Sequence, residues 1–403
     1  MQKWLTILLT WIIIAVPQYR IYCQDDSQHI SFNFYGDSIS FQYDKSLFID
    51  FNEKDLSEKS VQEFYNKVAA KNYLSAIKAL EDYRNLNNAD DWLYYQLVRK
   101  VAQTISPKQE NYLRYTLYKW FFMIKSGYNP ILSVHNNQLL FYIQCDENIY
   151  NIPYRMKDGK QYVCLNYHDY GSNIDFTINR FTELQVNITK GGRAFSYKIH
   201  KLPDFDKSDY VNKDLQFSLY NNEYHFQIKV NPQVKAIFAN YPTLDYDDYL
   251  NMPISKATRE SLIPLLQKQL KGLSVKNGVD YLMRFTRYAF VFEPDTKQFG
   301  QEKRLTPEQT LLYESSDCED RVFLFYSLVK EIYNLPMIII AYPQHVTIAV
   351  KFEKPIGKPI FYNGEAYTIC EPTPQNTDLN VGQQMPQLKN EKYEVAYAYR
   401  PLK

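Results

Sequence analysis

The chain has 403 residues, is 45% hydrophobic, and carries 46 Lys and Arg against 45 Asp and Glu, for a formal net charge of +1. Such a length allows two or three domains, each with a sizeable core. With no basic surplus and no basic run to track a phosphate backbone, nucleic acid is not an expected partner. Five cysteines are too few for a disulfide framework. No Cys-x-x-Cys or His-Glu-x-x-His spacing is present, so no metal and no other cofactor is expected.

In the first 24 residues, Lys3 precedes an apolar run from Trp4 through Val16, and a polar stretch begins at Pro17. This is the layout of a secretory signal, and the run is too short for a comfortable membrane span. The mature chain is expected to be exported to the periplasm or cell envelope, or secreted, with no stable membrane span once the leader is removed. An uncleaved N-terminal anchor is the alternative, because no small-x-small cleavage site follows the run.

Residues 29–51 alternate apolar and polar around Tyr35-Gly36-Asp37, which predicts a β-hairpin. Helical periodicity covers 57–126, broken near 85–90 and at Pro107. Strand patterns return over 130–166, where Cys145 and Cys164 fall on neighbouring strands and could pair. The stretch 172–239 is almost all strand-like, with turns at Gly191-Gly192 and Asn221-Asn222, and predicts a β-rich domain. A helical pair over 256–270 and 279–289 leads to a C-terminal region reading helix, strand, strand, strand. The expected fold is α+β, divided into a leader (1–24), an N-terminal α+β domain (25–171), a β-rich domain (172–245) and a C-terminal catalytic domain (246–403).

Parts of the two α+β regions resemble each other. A helix leading through Gly127-Tyr128-Asn129-Pro130 into strands is matched by one leading through Tyr333-Asn334-Leu335-Pro336. Residues 159–166 line up with 364–371, and Asp91-Trp92-Leu93 with Asp280-Tyr281-Leu282. This reads as an internal duplication. In that alignment Cys318 falls opposite Tyr112, His345 opposite Leu139 and Glu371 opposite Asn166, so the first copy would be catalytically dead.

Chemistry concentrates in Ser316-Asp317-Cys318-Glu319-Asp320, then His345, then Glu371. Ser316 or Asp317 suits the N-cap of a helix over 318–332, and a thiol at that end should feel the positive helix terminus as a stabiliser of its thiolate. His345 opens the alternating run Val346-Thr347-Ile348-Ala349-Val350. Period 2 puts it on one face with Thr347 and Ala349, small residues past which a helix could pack. Glu371 ends a strand just before Pro372, on the face opposite Cys370, and could accept a hydrogen bond from the imidazole.

These segments, with Tyr342-Pro343-Gln344-His345-Val346 and residues 367–373, resemble the catalytic core of transglutaminase-like proteins of the papain-like superfamily, in particular the secreted ones of Bacteroides-type bacteria. The similarity spans about residues 279–382. It implies Cys318 as nucleophile, His345 as base and acid, and Glu371 where that family most often has Asp. It further implies an oxyanion hole made from the Cys318 backbone N–H and an upstream side chain, for which Gln298 is the candidate. The expected activity is thiol acyl transfer on a peptide or protein amide, by hydrolysis or by crosslinking to a second amine. The alternative is a non-catalytic binding or scaffold protein on the same fold.

Overall fold

The computed structural model describes residues 27–189 and 191–401, so the leader expected over 1–24 lies outside it. The predicted hairpin forms from β1 (Ser27–Phe34) and β2 (Asp37–Asp44). Tyr35 and Gly36, with φ of 52° and 102°, supply the left-handed turn that matches strand twist. Four helices follow: α1 (Glu58–Ala69), α2 (Leu74–Asn87), α3 (Asp91–Ile105) and α4 (Tyr112–Lys125). Ser57 caps α1, and Asn111 caps α4 by accepting from the Arg114 N–H. Most of α3 and α4 is buried, including Trp92, Leu97, Val101, Leu117 and Trp120, so these helices form the centre of the first half.

β3 (Pro130–His135), β4 (Gln138–Gln144), β5 (Tyr154–Lys157), β6 (Lys160–Cys164) and β7 (Thr182–Glu183) make an antiparallel sheet in the order β5-β6-β4-β3-β7. The hairpin β8 (Val211–Leu219) and β9 (Asn222–Val230) and the short helices α5 (Gln233–Ile237) and α6 (Tyr246–Leu250) lead to α7 (Lys256–Leu270) and α8 (Val275–Tyr288). Then come β10 (Val291–Phe292), α9 (Asp295–Gln298), α10 (Pro307–Leu312), β11 (Ser315–Ser316) and α11 (Cys318–Tyr333). β12 (Met337–Tyr342), β13 (His345–Val350), β14 (Ile360–Tyr362), β15 (Glu365–Cys370) and β16 (Glu394–Tyr399) form the second antiparallel sheet, in the order β14-β15-β13-β12-β16. No helix among the described residues is long and apolar enough to cross a membrane.

Numbered along each half, both sheets read third, fourth, second, first, fifth strand. Their turns agree as well. Asp158-Gly159 closes β5–β6 with φ of 51° and 73°, and Asn363-Gly364 closes β14–β15 with φ of 48° and 78°. Both sheets bury two faces. Leu139, Phe141 and Ile143 in one, and Val346, Ile348 and Val350 in the other, face the helices. Tyr142 and Tyr162 face an outer layer containing Ile174 and Phe181, and Ala349 and Tyr367 face one containing Leu379, Met385 and Leu388.

Three expectations change. The stretch 172–245 is not closed on itself as a β-domain: β7 completes the first sheet against β3, while the apolar face of β8–β9 packs on α7 and α8, with Phe217 5.6 Å from Tyr281 and 5.7 Å from Phe285 between ring centroids. Of the stretch read as almost all strand-like, only β7, β8 and β9 are strands among the described residues, and their pairing partners depend on contacts distant in sequence. Cys145 and Cys164 are free thiols, one in the helix-side core and the other in the outer layer, so the pleat separates them. Asp91 opens α3, whereas Asp280 lies within α8, so that short similarity does not mark equivalent helix positions.

Candidate active site

The head of α11 is fixed by a reciprocal cap. Asp317 Oδ1 accepts from the N–H groups of Glu319 (3.0 Å) and Asp320 (3.3 Å), and Asp320 Oδ2 accepts from the Asp317 N–H (3.2 Å). Cys318 is therefore the first helical residue, and its own N–H stays outside the cap. Arg321, fully buried, ties this helix to the end of α8 by donating to the carbonyls of Thr286 (3.0 Å), Arg287 (2.8 Å) and Phe290 (3.0 Å).

His345 opens β13 opposite Tyr342. Because Ile348 pairs with Cys370, one further step brings Glu371 beside Thr347, on the face that His345 shares by alternation. The two side chains meet: His345 Nε2 lies 2.9 Å from Glu371 Oε2. Glu371 is only 1% exposed and its other oxygen accepts from the Thr373 N–H at 2.9 Å. Its backbone carbonyl accepts from Arg287 Nε (3.1 Å) and Nη2, and the same guanidinium reaches Leu379 O (2.9 Å) and Asp378 Oδ1 (2.5 Å). The carboxyl group thus orients the imidazole through Nε2, and Nδ1 has no hydrogen-bond partner among the described residues.

Cys318 is partly buried at the head of α11, the helix that packs on β13. No side-chain hydrogen bond joins it to His345 among the described residues. Burial, then Asp317, with smaller effects from Glu319 and Glu371, pushes the thiol up to about 12, and the Val346 N–H opposes that rise only in part. The expected stabilisation of thiolate by the helix terminus is therefore outweighed by burial first and then by the acids around that terminus, Asp317 foremost. A second correction concerns the sheet face. α11 packs on Val346, Ile348 and Val350, whereas Ala349, on the His345 side, faces the outer layer. Bulky aliphatic residues give the helix more surface to bury than the small ones would.

Cys370 is fully buried on the helix-side face, and its thiol is bonded at 3.7 Å to Thr368 O and pushed upward by burial. Gln298 ends α9, and its amide oxygen is buried without a hydrogen-bond partner. The α9 segment lies close to the head of α11, since Asp295, Asp317 and Asp320 each bring a carboxylate oxygen within 4.8 Å of the others. Burial raises Asp295 to about 7 and Asp317 to about 6, and raises Asp320 strongly. These three groups are close enough to share protons or to hold a cation. Beside His345 a cavity of about 530 Å³ opens, lined by Tyr342, Gln344, Met385, Leu388 and Glu391. Sequence reasoning missed Arg287, Thr373, Val346 and this acidic cluster. Of the cluster, Asp317 as a cap and Asp320 as a first-turn acid carried a local signal, and Asp295 did not.

The corresponding positions of the first sheet are filled differently. Tyr112 is the first residue of α4, as Cys318 is of α11. Hairpin register places Gln138, not Leu139, opposite His345, because His135↔Gln138 and Tyr342↔His345 each close a two-residue turn, left-handed at Asn136-Asn137 and not at Pro343-Gln344. Asn166 Nδ2 donates to the Tyr112 hydroxyl and to Leu139 O, both at 2.8 Å, and the Tyr112 hydroxyl donates to Asp169 at 2.8 Å. These polar groups satisfy one another, the Cys164 thiol donates to Asn166 Oδ1 at 3.5 Å, and the head of the helix carries Tyr112 where α11 carries Cys318.

No protein-family model, curated protein or solved structure matches the chain.

Proposed function

We propose that the protein is an exported cysteine-dependent acyl-transfer enzyme of transglutaminase-like type, hydrolysing peptide or related amide bonds. The observation that carries this reading is the bond from His345 to buried Glu371 at the start of β13, the strand on which the helix headed by Cys318 packs. In the proposed cycle, His345 Nδ1 takes the thiol proton as sulfur attacks the amide carbonyl, and then gives it to the leaving amine. The resulting thioester is resolved by water, whose proton His345 accepts, releasing the acid and the thiol. A second amine in place of water would give a crosslink. The unshared Cys318 N–H, with Gln298 as candidate partner, would stabilise the oxyanion.

The raised thiol favours a general-base route over a standing thiolate-imidazolium pair. It also favours a second reading, a binding or scaffold protein in which Cys318 is inert. An electrophilic thiol probe separates the two. Labelling of the wild type that disappears in Cys318→Ser and persists in Cys370→Ser supports the enzyme, whereas absent labelling, or labelling that follows Cys370, refutes it.

For the first half we infer an inactive copy of the same core. Shared strand order, equivalent turns and paired inner and outer faces support that reading. An experimental structure in which the two sheets connect differently would overturn it. Export is tested by sequencing the N-terminus of mature protein from fractionated cells, which should begin near residue 25.

A further inference from the structure

The first half holds a cleft that the proposed chemistry does not use. It has a volume of about 430 Å³ between the β1–β2 turn, α3 and the start of α4, and Arg99, Lys100 and Lys108 line it together with Gln96, Gln103 and Tyr115. No acidic side chain lines it, although the chain as a whole is nearly balanced in charge. A low-dielectric cleft lined by one sign of charge focuses potential and attracts the opposite sign.

The donors are held in place and are not all consumed. Gln96 is 8% exposed, and its Oε1 accepts from Arg99 Nη1 at 2.8 Å, which orients the guanidinium. Its Nε2 is buried with no hydrogen-bond partner. Arg99 and Lys100 form no ion pair among the described residues, whereas Lys108 is bonded to Asp169 at 2.5 Å. Behind Tyr115 lies Lys119, 1% exposed, with its ammonium 4.4 Å from the Tyr115 ring centroid. Burial lowers Lys119 to about 7, opposed by the charge of Asp169, which also acts on Arg99 and pairs with Lys108, so the three cations of this region share one acid.

We propose that this cleft binds a small oxyanion, a carboxylate- or phosphate-bearing molecule held by Arg99 and Lys100. A planar guanidinium fixed by a neighbouring amide suits bidentate oxyanion recognition, and the unpaired lysine adds charge. The site is separate from Cys318, and its occupancy does not depend on that residue's chemistry.

The test is calorimetric titration of the full-length protein with inorganic pyrophosphate and, separately, citrate, at constant ionic strength. Saturable binding of either probe is expected, and which one binds assigns the class. Arg99→Gln combined with Lys100→Gln should weaken it about tenfold or more, while Cys318→Ser and the remote exposed Lys256→Gln leave it unchanged. Because Lys100 is exposed, the single Lys100→Gln variant serves if the double variant fails to fold, with a loss of several-fold expected. Absence of saturable binding of both probes, or binding indifferent to these substitutions, overturns the proposal.

Discussion

Glu371→Gln is the substitution that separates a working triad from three neighbouring side chains. Both Glu371 oxygens are committed at 2.9 Å, one to the Thr373 N–H and the other to His345 Nε2. An amide has only one oxygen. The Thr373 donor is fixed in the backbone, so the Gln oxygen stays with it and the NH₂ turns to His345. The imidazole must then accept at Nε2 and carry its proton on Nδ1, the nitrogen needed to take the thiol proton. Losing a positioned general base costs about 10²- to 10⁴-fold, or about 3–5 kcal/mol of barrier. Alkylation of Cys318 by a chloroacetamide across pH, read by peptide mass, measures it without knowledge of a substrate. A thiol held up to about 12 and left unaided is ionised to only about one part in 10⁴ at pH 8. Wild type should therefore react well above that floor and Glu371→Gln close to it, with both folded by circular dichroism. Equal rates and equal pH profiles in the two proteins would refute the reasoning.

Three further outcomes follow from the same geometry. Asp295, raised to about 7, binds a proton in the folded state that the unfolded chain releases near pH 4. Its contribution is full below about pH 4 and is lost as pH rises through 7, so Asp295→Asn should raise stability at pH 8 by about 1–2 kcal/mol and flatten the pH profile of Tm. Arg287→Met removes the donors to the Glu371 and Leu379 carbonyls, while Asp378 keeps Arg284 and the Tyr288 hydroxyl; denaturant titration should show a loss of about 1–3 kcal/mol. Tyr112→Phe leaves Asn166 and Asp169 each short of a partner, and should cost about 1–3 kcal/mol in urea unfolding without changing Cys318 alkylation.

Much of the site was legible because its signals are local. An N-cap acid before Cys318, a period-2 run after His345 and a Pro that ends the strand after Glu371 each need only a few neighbouring residues to be read. The turns Tyr35-Gly36 and Asn363-Gly364 require left-handed backbone, which narrows the residues that fit. What failed depended on distance in sequence or on competing fields. Arg287 reaches Glu371 across 84 residues, and no pattern around either announces the other. The helix terminus was expected to favour thiolate, yet burial, together with the acids around it, reverses the sign. Aligning the halves on Pro130 and Pro336 missed the strand register by one residue, which decides whether Leu139 or Gln138 stands where His345 does.

The central claim is that Cys318 forms a covalent acyl intermediate. Incubating the full-length protein with a peptide library, then reading peptide products and acyl adducts by mass, tests it directly. The account predicts new cleavage or crosslink products and a hydroxylamine-labile adduct on the Cys318 peptide, both abolished in Cys318→Ser and His345→Gln. Products that persist in Cys318→Ser, or an adduct on Cys370 instead, would contradict it.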